Sequence, residues 1–130
     1  MTTPFWCLVV IAGMPIALAF IGDYFRHAEL GSIDNSDPRG QAAHLQGAGA
    51  RAYAAQANAW EALPVFTVAV ILAHLTGGDP ARSAIAAVVF VIARVAHAVS
   101  YIAGWSTLRS ISFLAAFGCC IWLVVIAAGA

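Results

Sequence analysis

The stretch Pro4–Gly22 reads PFWCLVVIAGMPIALAFIG and contains no charged residue. As a helix it would be about 28 Å long, close to the thickness of the hydrocarbon core of a bilayer. Three further apolar stretches follow, at 62–78, 83–104 and 110–130. Because an open strand would leave backbone groups unpaired in hydrocarbon, all four stretches are predicted to be membrane-spanning helices.

The composition agrees with a protein that lies mostly in lipid. Of the 130 residues, 62% are hydrophobic and 9% are charged, whereas about a quarter of a soluble domain is charged. A soluble domain with an oversized core is disfavoured, because a chain this short has too much surface to hide so many apolar side chains. The formal net charge is zero, so no general attraction to nucleic acid is expected.

The predicted fold class is therefore an all-α membrane protein, a single domain over residues 1–130 that forms a four-helix bundle. The predicted spans are about 4–25, 48–76, 82–104 and 107–129, with a cytoplasmic loop at about 26–47. Arginines set the orientation, since positively charged loops stay in the cytoplasm. Arg26, Arg39 and Arg51 lie on the side of the first loop and Arg109 lies at the start of the fourth span, against Arg82 alone on the other side. Both termini are thus predicted to lie outside.

The apolar part of the second span is too short to cross the bilayer, so the polar residues next to it must lie inside the membrane. Its apolar part, Ala62–Thr76, would be only about 22 Å long as a helix, against a hydrocarbon core of about 30 Å. Glu61 and Asn58 are therefore expected below the cytoplasmic interface. A carboxylate at that depth is costly unless it is paired.

The third span supplies polar groups at the same depth. Arg94, His97 and Tyr101 are spaced i, i+3 and i+7, so they share one helix face. They lie roughly 16 to 27 Å from the outer end of the span. The polar residues expected to converge on one layer are Arg51, Asn58, Glu61, Arg94, His97, Tyr101 and Arg109.

Two interpretations of this layer stay open. It is either an ion-pair network that only sets the register of the helices, for instance Glu61 with Arg94, or a pocket for a small anionic ligand. Three arginines against one carboxylate favour the pocket, because they leave positive charge to be neutralised. No metal is expected, since no spacing of His, Cys and Asp resembles a metal site. The cysteines are expected to be small apolar residues at lipid or helix interfaces.

The run Arg51–Phe66, RAYAAQANAWEALPVF, resembles the signature of the MAPEG family, the membrane-associated proteins in eicosanoid and glutathione metabolism. The signature has Arg, then Asn seven residues on, Glu three on, Pro three on, and Phe. A second family block is similar to Arg94–His97 with Tyr101, followed by Arg109-Ser110. Asp34–Arg39, DNSDPR, is similar to a loop motif of bacterial members.

This resemblance implies a homotrimer in a bacterial inner membrane that binds glutathione, as a co-substrate, between neighbouring subunits near the cytoplasmic face. It implies a glutathione-dependent transferase or peroxidase acting on hydrophobic electrophiles dissolved in the membrane. Arg109 matches the arginine that holds the thiolate, and Arg26 matches a first-helix arginine. The residues implied to bind the peptide are Arg51, Asn58, Glu61, Arg94, His97 and Tyr101.

Two other functions remain as alternatives. The first is a catalytically silent member that binds a lipid or a thiol, or that serves as an accessory subunit of a larger membrane complex. Ala54 and Ala57 favour it, because characterised enzymes of the family often carry polar or basic residues there. The second is a small transporter or channel, which is disfavoured because the polar residues form one layer near one face rather than a stripe through the membrane.

Overall fold

The computed structural model describes residues 1–130 and consists of helices joined by turns and one loop. Four of its five helices are long and apolar enough to cross a membrane, so the predicted all-α fold with four spans is confirmed. The helices are α1 (Thr3–Leu30), α2 (Pro38–Ala42), α3 (Gly47–Leu75), α4 (Pro80–Ala103) and α5 (Ser106–Ala128).

The first helix extends further than the predicted end at residue 25. It contains 28 residues, about 42 Å of helix, so its last turns stand beyond the hydrocarbon core. Arg26, in this extension, contacts the following loop: its Nη1 donates to the Pro38 carbonyl oxygen at 3.3 Å. The helix ends at Gly31, which has φ +77°, a conformation that glycine adopts at little cost.

The loop between α1 and α3 is built by the DNSDPR motif. The Asp34 carboxylate accepts hydrogen bonds from the Ser36 hydroxyl at 2.6 Å and the Ser36 amide at 2.8 Å. These bonds to the charged form hold the pKa of Asp34 below its usual range. The Asp37 carboxylate accepts from the Gly40 amide at 3.0 Å and so caps α2, which begins at Pro38. The motif therefore has a local structural role.

Short turns make the neighbouring membrane helices antiparallel. Residues 76–79 join α3 to α4, where the Asp79 carboxylate accepts from the Arg82 amide at 2.7 Å and caps α4. Residues 104–105 join α4 to α5, with Gly104 at φ +81°. The loop and the second turn therefore lie at one end of the bundle, here called the loop end. Both chain termini and the first turn lie at the other, the terminal end.

Two stacked phenylalanines fill the centre of the bundle. Phe66 of α3 and Phe90 of α4 lie with ring centroids 3.8 Å apart and planes 2° from parallel, and both rings are buried. Small residues surround them and let the helix backbones approach closely, which matters in a bilayer because helix association depends on packing. The buried alanines of this core are Ala69, Ala73, Ala86, Ala87, Ala93, Ala116 and Ala127.

We expect Phe66→Ala to destabilise the bundle by about 3 kcal/mol or more, because it leaves a cavity against Phe90 that neighbouring alanines cannot fill. The measurement is resistance to unfolding in detergent, by heat and by titration with a denaturing detergent. Phe20→Ala is the control, since Phe20 is 71% exposed on the outer surface of the bundle. Equal losses of stability in the two variants would show that the stacked pair does not hold the helices together.

Candidate functional site

The polar residues of α4 lie on its buried face at the loop end. Arg94 is 1% exposed and His97 is 3% exposed. The His97 ring meets the ring of Tyr101 edge-on, with centroids 5.5 Å apart. The spacing i, i+3, i+7 thus places all three on one face, as the sequence predicts.

Asn58 connects Arg94 to Glu61. Arg94 Nη2 donates to Asn58 Oδ1 at 2.8 Å and to the Asn58 carbonyl oxygen at 3.2 Å. The other end of the same amide, Asn58 Nδ2, donates to Glu61 Oε2 at 3.2 Å. Glu61 and Arg94, the example of a direct ion pair under the interpretation that the layer only sets helix register, do not form one: within the chain, Arg26 and Asp23 are the pair close enough for a salt bridge. The neutral Asn58 amide accepts a hydrogen bond from the guanidinium and donates one to the carboxylate, so it lies between the two charged groups.

A cleft of about 200 Å³ opens beside this chain of hydrogen bonds, between α3, α4 and α5. Arg94 lines it, and its second terminal nitrogen, Nη1, is buried without a hydrogen-bond partner. Glu61 lines the outer side and is exposed. The apolar part of the wall is formed by Ala62, Val65, Phe90, Phe113, Ala116, Phe117 and Cys120.

A wider recess adjoins the cleft and shares Asn58 and Phe113 with it. It is lined by Tyr101 and by Arg109, whose guanidinium carbon lies 4.8 Å from the centroid of the Tyr101 ring. Such a cation–π contact holds the guanidinium in place while its N–H groups remain free to bind an anion. Arg94 and Arg109 against Glu61 leave one positive charge in excess around the joined cavities.

The other two predicted arginines make different contacts. Arg51 Nε donates to the Ile102 carbonyl oxygen at 2.9 Å, which satisfies one of the free carbonyls in the last turn of α4. Arg26 is 3% exposed and lies 3.6 Å from the Asp23 carboxylate. Within one chain, neither arginine lines the cleft or the recess.

Arg26 belongs to a separate contact between α1 and α3. The Tyr53 hydroxyl donates to the Asp23 carboxylate at 3.0 Å, the same group that lies beside Arg26. Gly22 allows this approach, because a Cβ there would come within 2.8 Å of the Tyr53 ring. This cluster ties the ends of the two longest helices together.

The sequence reasoning missed the contribution of α5 to the cleft. Phe113, Phe117 and Cys120 follow Arg109 at i+4, i+8 and i+11, so they lie on the same face of α5 as that arginine. This register is the sequence signal for the contribution of α5. Cys120 and Cys119 are both buried and unpaired.

A family model, described as the MAPEG family, matches residues 3–129. The chain belongs to this family. Searches of curated proteins and of solved structures found no match. Two residues of the MAPEG signature, Asn58 and Glu61, belong to the hydrogen-bonded chain that includes Arg94. The residues that carry the resemblance are therefore in contact in the folded protein.

In this MAPEG protein we expect Asn58→Leu to cost about 2 kcal/mol or more of stability, because it leaves the buried guanidinium of Arg94 with fewer acceptors. The measurement is resistance to heat and to denaturing detergent. The double variant Asn58→Leu with Arg94→Met removes the charge as well as its partner, and should be more stable than Asn58→Leu alone. A single variant as stable as the native protein would mean that Asn58 does not compensate the charge.

Proposed function

We propose that this protein binds glutathione in the cleft and recess at the loop end and activates its thiol for attack on hydrophobic electrophiles. The observation that carries the proposal is the buried Arg94, whose Nη1 has no partner in the protein although the residue lines the cleft. A buried charged donor without an acceptor is costly. An anionic ligand would remove that cost, and MAPEG membership makes a glutathione-like peptide the leading candidate.

The charges in the cavities complement those of glutathione, which carries two carboxylates and one ammonium group. Arg94 and Arg109 suit the carboxylates and the developing thiolate, because guanidinium groups bind such anions strongly. Glu61 is exposed at the cleft and uses one of its oxygens for Asn58. Its remaining acceptor capacity suits the ammonium group.

Arg109 is placed to favour the thiolate form of the bound thiol. It lies in the first turn of α5, which begins at Ser106, where the helix dipole adds a partial positive charge to that of the guanidinium. A thiolate is the reactive nucleophile. Its sulfur would form a bond to carbon as the leaving group departs with the bonding electrons. Alternatively, it would attack a peroxide oxygen and break the O–O bond, giving a sulfenic acid and an alkoxide that takes a proton to become the alcohol. A second glutathione thiol would then displace water from the sulfenic acid to give the disulfide.

The electrophile would reach the thiol from the lipid. An apolar groove between α3 and α5 shares Val65, Phe117 and Cys120 with the cleft. It continues along Val124 and Val125 towards the terminal end. A molecule lying in this groove would bring one end to the polar cavities while its apolar part stays out of water.

We further infer that neighbouring copies complete the site in a homotrimer, with the loop end in the cytoplasm of a bacterial cell and the termini outside. Glu61 is exposed and Tyr101 is half-buried, so a group from outside the chain can reach the cavities that they line. Arg51, which the family signature includes, does not line the cavities of its own chain. If an adjacent copy supplied its arginine, each site would contain a group that its own chain does not contribute.

A second candidate function is supported by the same groove. Polar groups at one end and apolar walls along the rest also fit an anionic lipid, held by Arg94 at its head group. In that case the protein would be a catalytically silent lipid-binding member or an accessory subunit of a larger membrane complex. Lipid retained through purification and identified by mass spectrometry would favour this function over the transferase.

The decisive experiment is a glutathione titration of the detergent-purified protein, with thiolate formation followed by ultraviolet absorbance near neutral pH. We expect saturable thiolate formation in the native protein and its loss in Arg109→Ala, with partial recovery in Arg109→Lys. Arg82→Ala is the matched control, since Arg82 is an exposed arginine at the terminal end. Absence of glutathione binding in the native protein would refute the proposal.

The role of Glu61 can be tested separately. We expect Glu61→Gln to weaken glutathione binding roughly tenfold, because it removes a charge-assisted hydrogen bond to the ammonium group. The glutaryl analogue of glutathione, which lacks that group, should bind the native protein and the variant equally. If the variant weakens both ligands to the same degree, Glu61 acts through the Asn58 contact and not through the ligand.

A further inference from the structure

A second cavity lies at the terminal end of the bundle, where the ends of all four membrane helices meet. Its volume is about 290 Å³, and it shares no lining residue with the cleft beside Arg94. Val70, Ser83 and Leu123 form its buried floor, and His74 and Thr2 lie at its exposed rim. The proposed glutathione site does not involve it.

Ser83 lines this cavity and carries an unsatisfied hydroxyl. The residue is 6% exposed, and its Oγ has no hydrogen-bond partner. The other two buried serines are satisfied within their own helices: Ser100 donates to the His97 carbonyl oxygen at 3.0 Å and Ser112 to the Leu108 carbonyl oxygen at 2.7 Å. Because a buried hydroxyl without a partner is costly, Ser83 is the one buried serine prepared to bind a ligand.

The rim supplies a second polar group and an aromatic surface. The His74 ring meets the Phe5 ring edge-on, with centroids 4.8 Å apart and planes at 76°, so α1 holds the imidazole in place at the mouth. An imidazole can donate or accept a hydrogen bond. The cavity thus has one serine hydroxyl at depth and an imidazole and the Thr2 hydroxyl at its rim, and Val70, Ala73 and Leu123 are among its apolar lining residues.

The chemistry of the lining selects the class of ligand. None of the lining residues is an arginine, a glutamate or an aspartate, so a phosphate or an ammonium group would enter without a counter-charge. The volume is at the lower end of the range for ligand pockets, about that of ten water molecules. These features fit one compact, neutral ring with oxygen atoms that accept hydrogen bonds.

We propose that this cavity binds the head group of a membrane-dissolved quinone, with the Ser83 hydroxyl donating to a carbonyl oxygen at the floor and His74 donating to an oxygen at the rim. A quinone is neutral, flat and apolar except at its carbonyl oxygens, which matches the distribution of polar groups in the cavity. Its hydrocarbon tail would leave through the mouth into the lipid.

The test compares duroquinone with durene, which has the same ring and methyl groups but lacks the two oxygens. Equilibrium dialysis against detergent-solubilised protein measures both affinities. We expect saturable duroquinone binding to the native protein, and about tenfold weaker binding to Ser83→Ala, which lacks one buried hydrogen bond. Durene should bind both proteins equally. Ser112→Ala is the matched control and should bind duroquinone as the native protein does.

Two further variants distinguish loss of binding from loss of folding, and this cavity from the proposed glutathione site. His74→Phe retains an aromatic ring beside Phe5 but removes the nitrogen atoms, and should also weaken duroquinone binding even if Ser83→Ala folds poorly. Arg109→Ala should leave duroquinone binding unchanged, which separates this cavity from the glutathione site. Equal affinity of the native protein for duroquinone and durene, or unchanged duroquinone binding in both Ser83→Ala and His74→Phe, would overturn the proposal.

Discussion

Arg94 carries a charge that cannot be relieved by deprotonation, and the fold buries it on a membrane helix with 1% exposure. Asn58 supplies the two acceptors that make this burial tolerable. Because both lie on long helices, their contact fixes how far α4 is displaced along α3 and how each helix is turned. That register places Glu61 beside the same cleft and sets His97 and Tyr101 one and two turns further along. The polar end of the molecule follows from this single contact.

The two ends of the bundle have different chemistry, and a packed core separates them. The loop end has two arginines and a glutamate around its cavities, whereas the cavity at the terminal end has hydroxyl, imidazole and backbone groups. The stacked Phe66 and Phe90 lie between the ends, and Phe90 itself closes the inner side of the cleft. The cavity at the terminal end shares no lining residue with the cleft or the recess at the loop end. This arrangement fits two separate binding sites better than a transporter or channel.

Membership of the MAPEG family does not by itself assign the activity of this chain. The signature residues Asn58, Glu61 and Arg94 form one hydrogen-bonded group, while Arg51 satisfies the end of α4 and Arg26 helps to tie α1 to α3. The same signature thus serves both stability and the proposed binding site.

The sequence alone determined the number of spans, their helical nature and the face that carries the polar residues of α4. These features depend on local physics: the length of apolar stretches, the need to satisfy backbone groups in hydrocarbon, and the helical period. The end of α1 did not follow from the apolar pattern: the helix runs to Leu30, past the predicted end at about residue 25, and Arg26 in this extension donates to the Pro38 carbonyl oxygen.

Tertiary structure decided which polar groups meet. Helical spacing puts Glu61 and Arg94 at one depth, but only packing shows that Asn58 stands between them and that Cys120 and Phe113 close the cleft. No sequence pattern predicted the cavity at Ser83, because that residue is an ordinary serine near the start of a helix. Its unsatisfied hydroxyl depends on how four helix ends come together, and no local pattern records that arrangement.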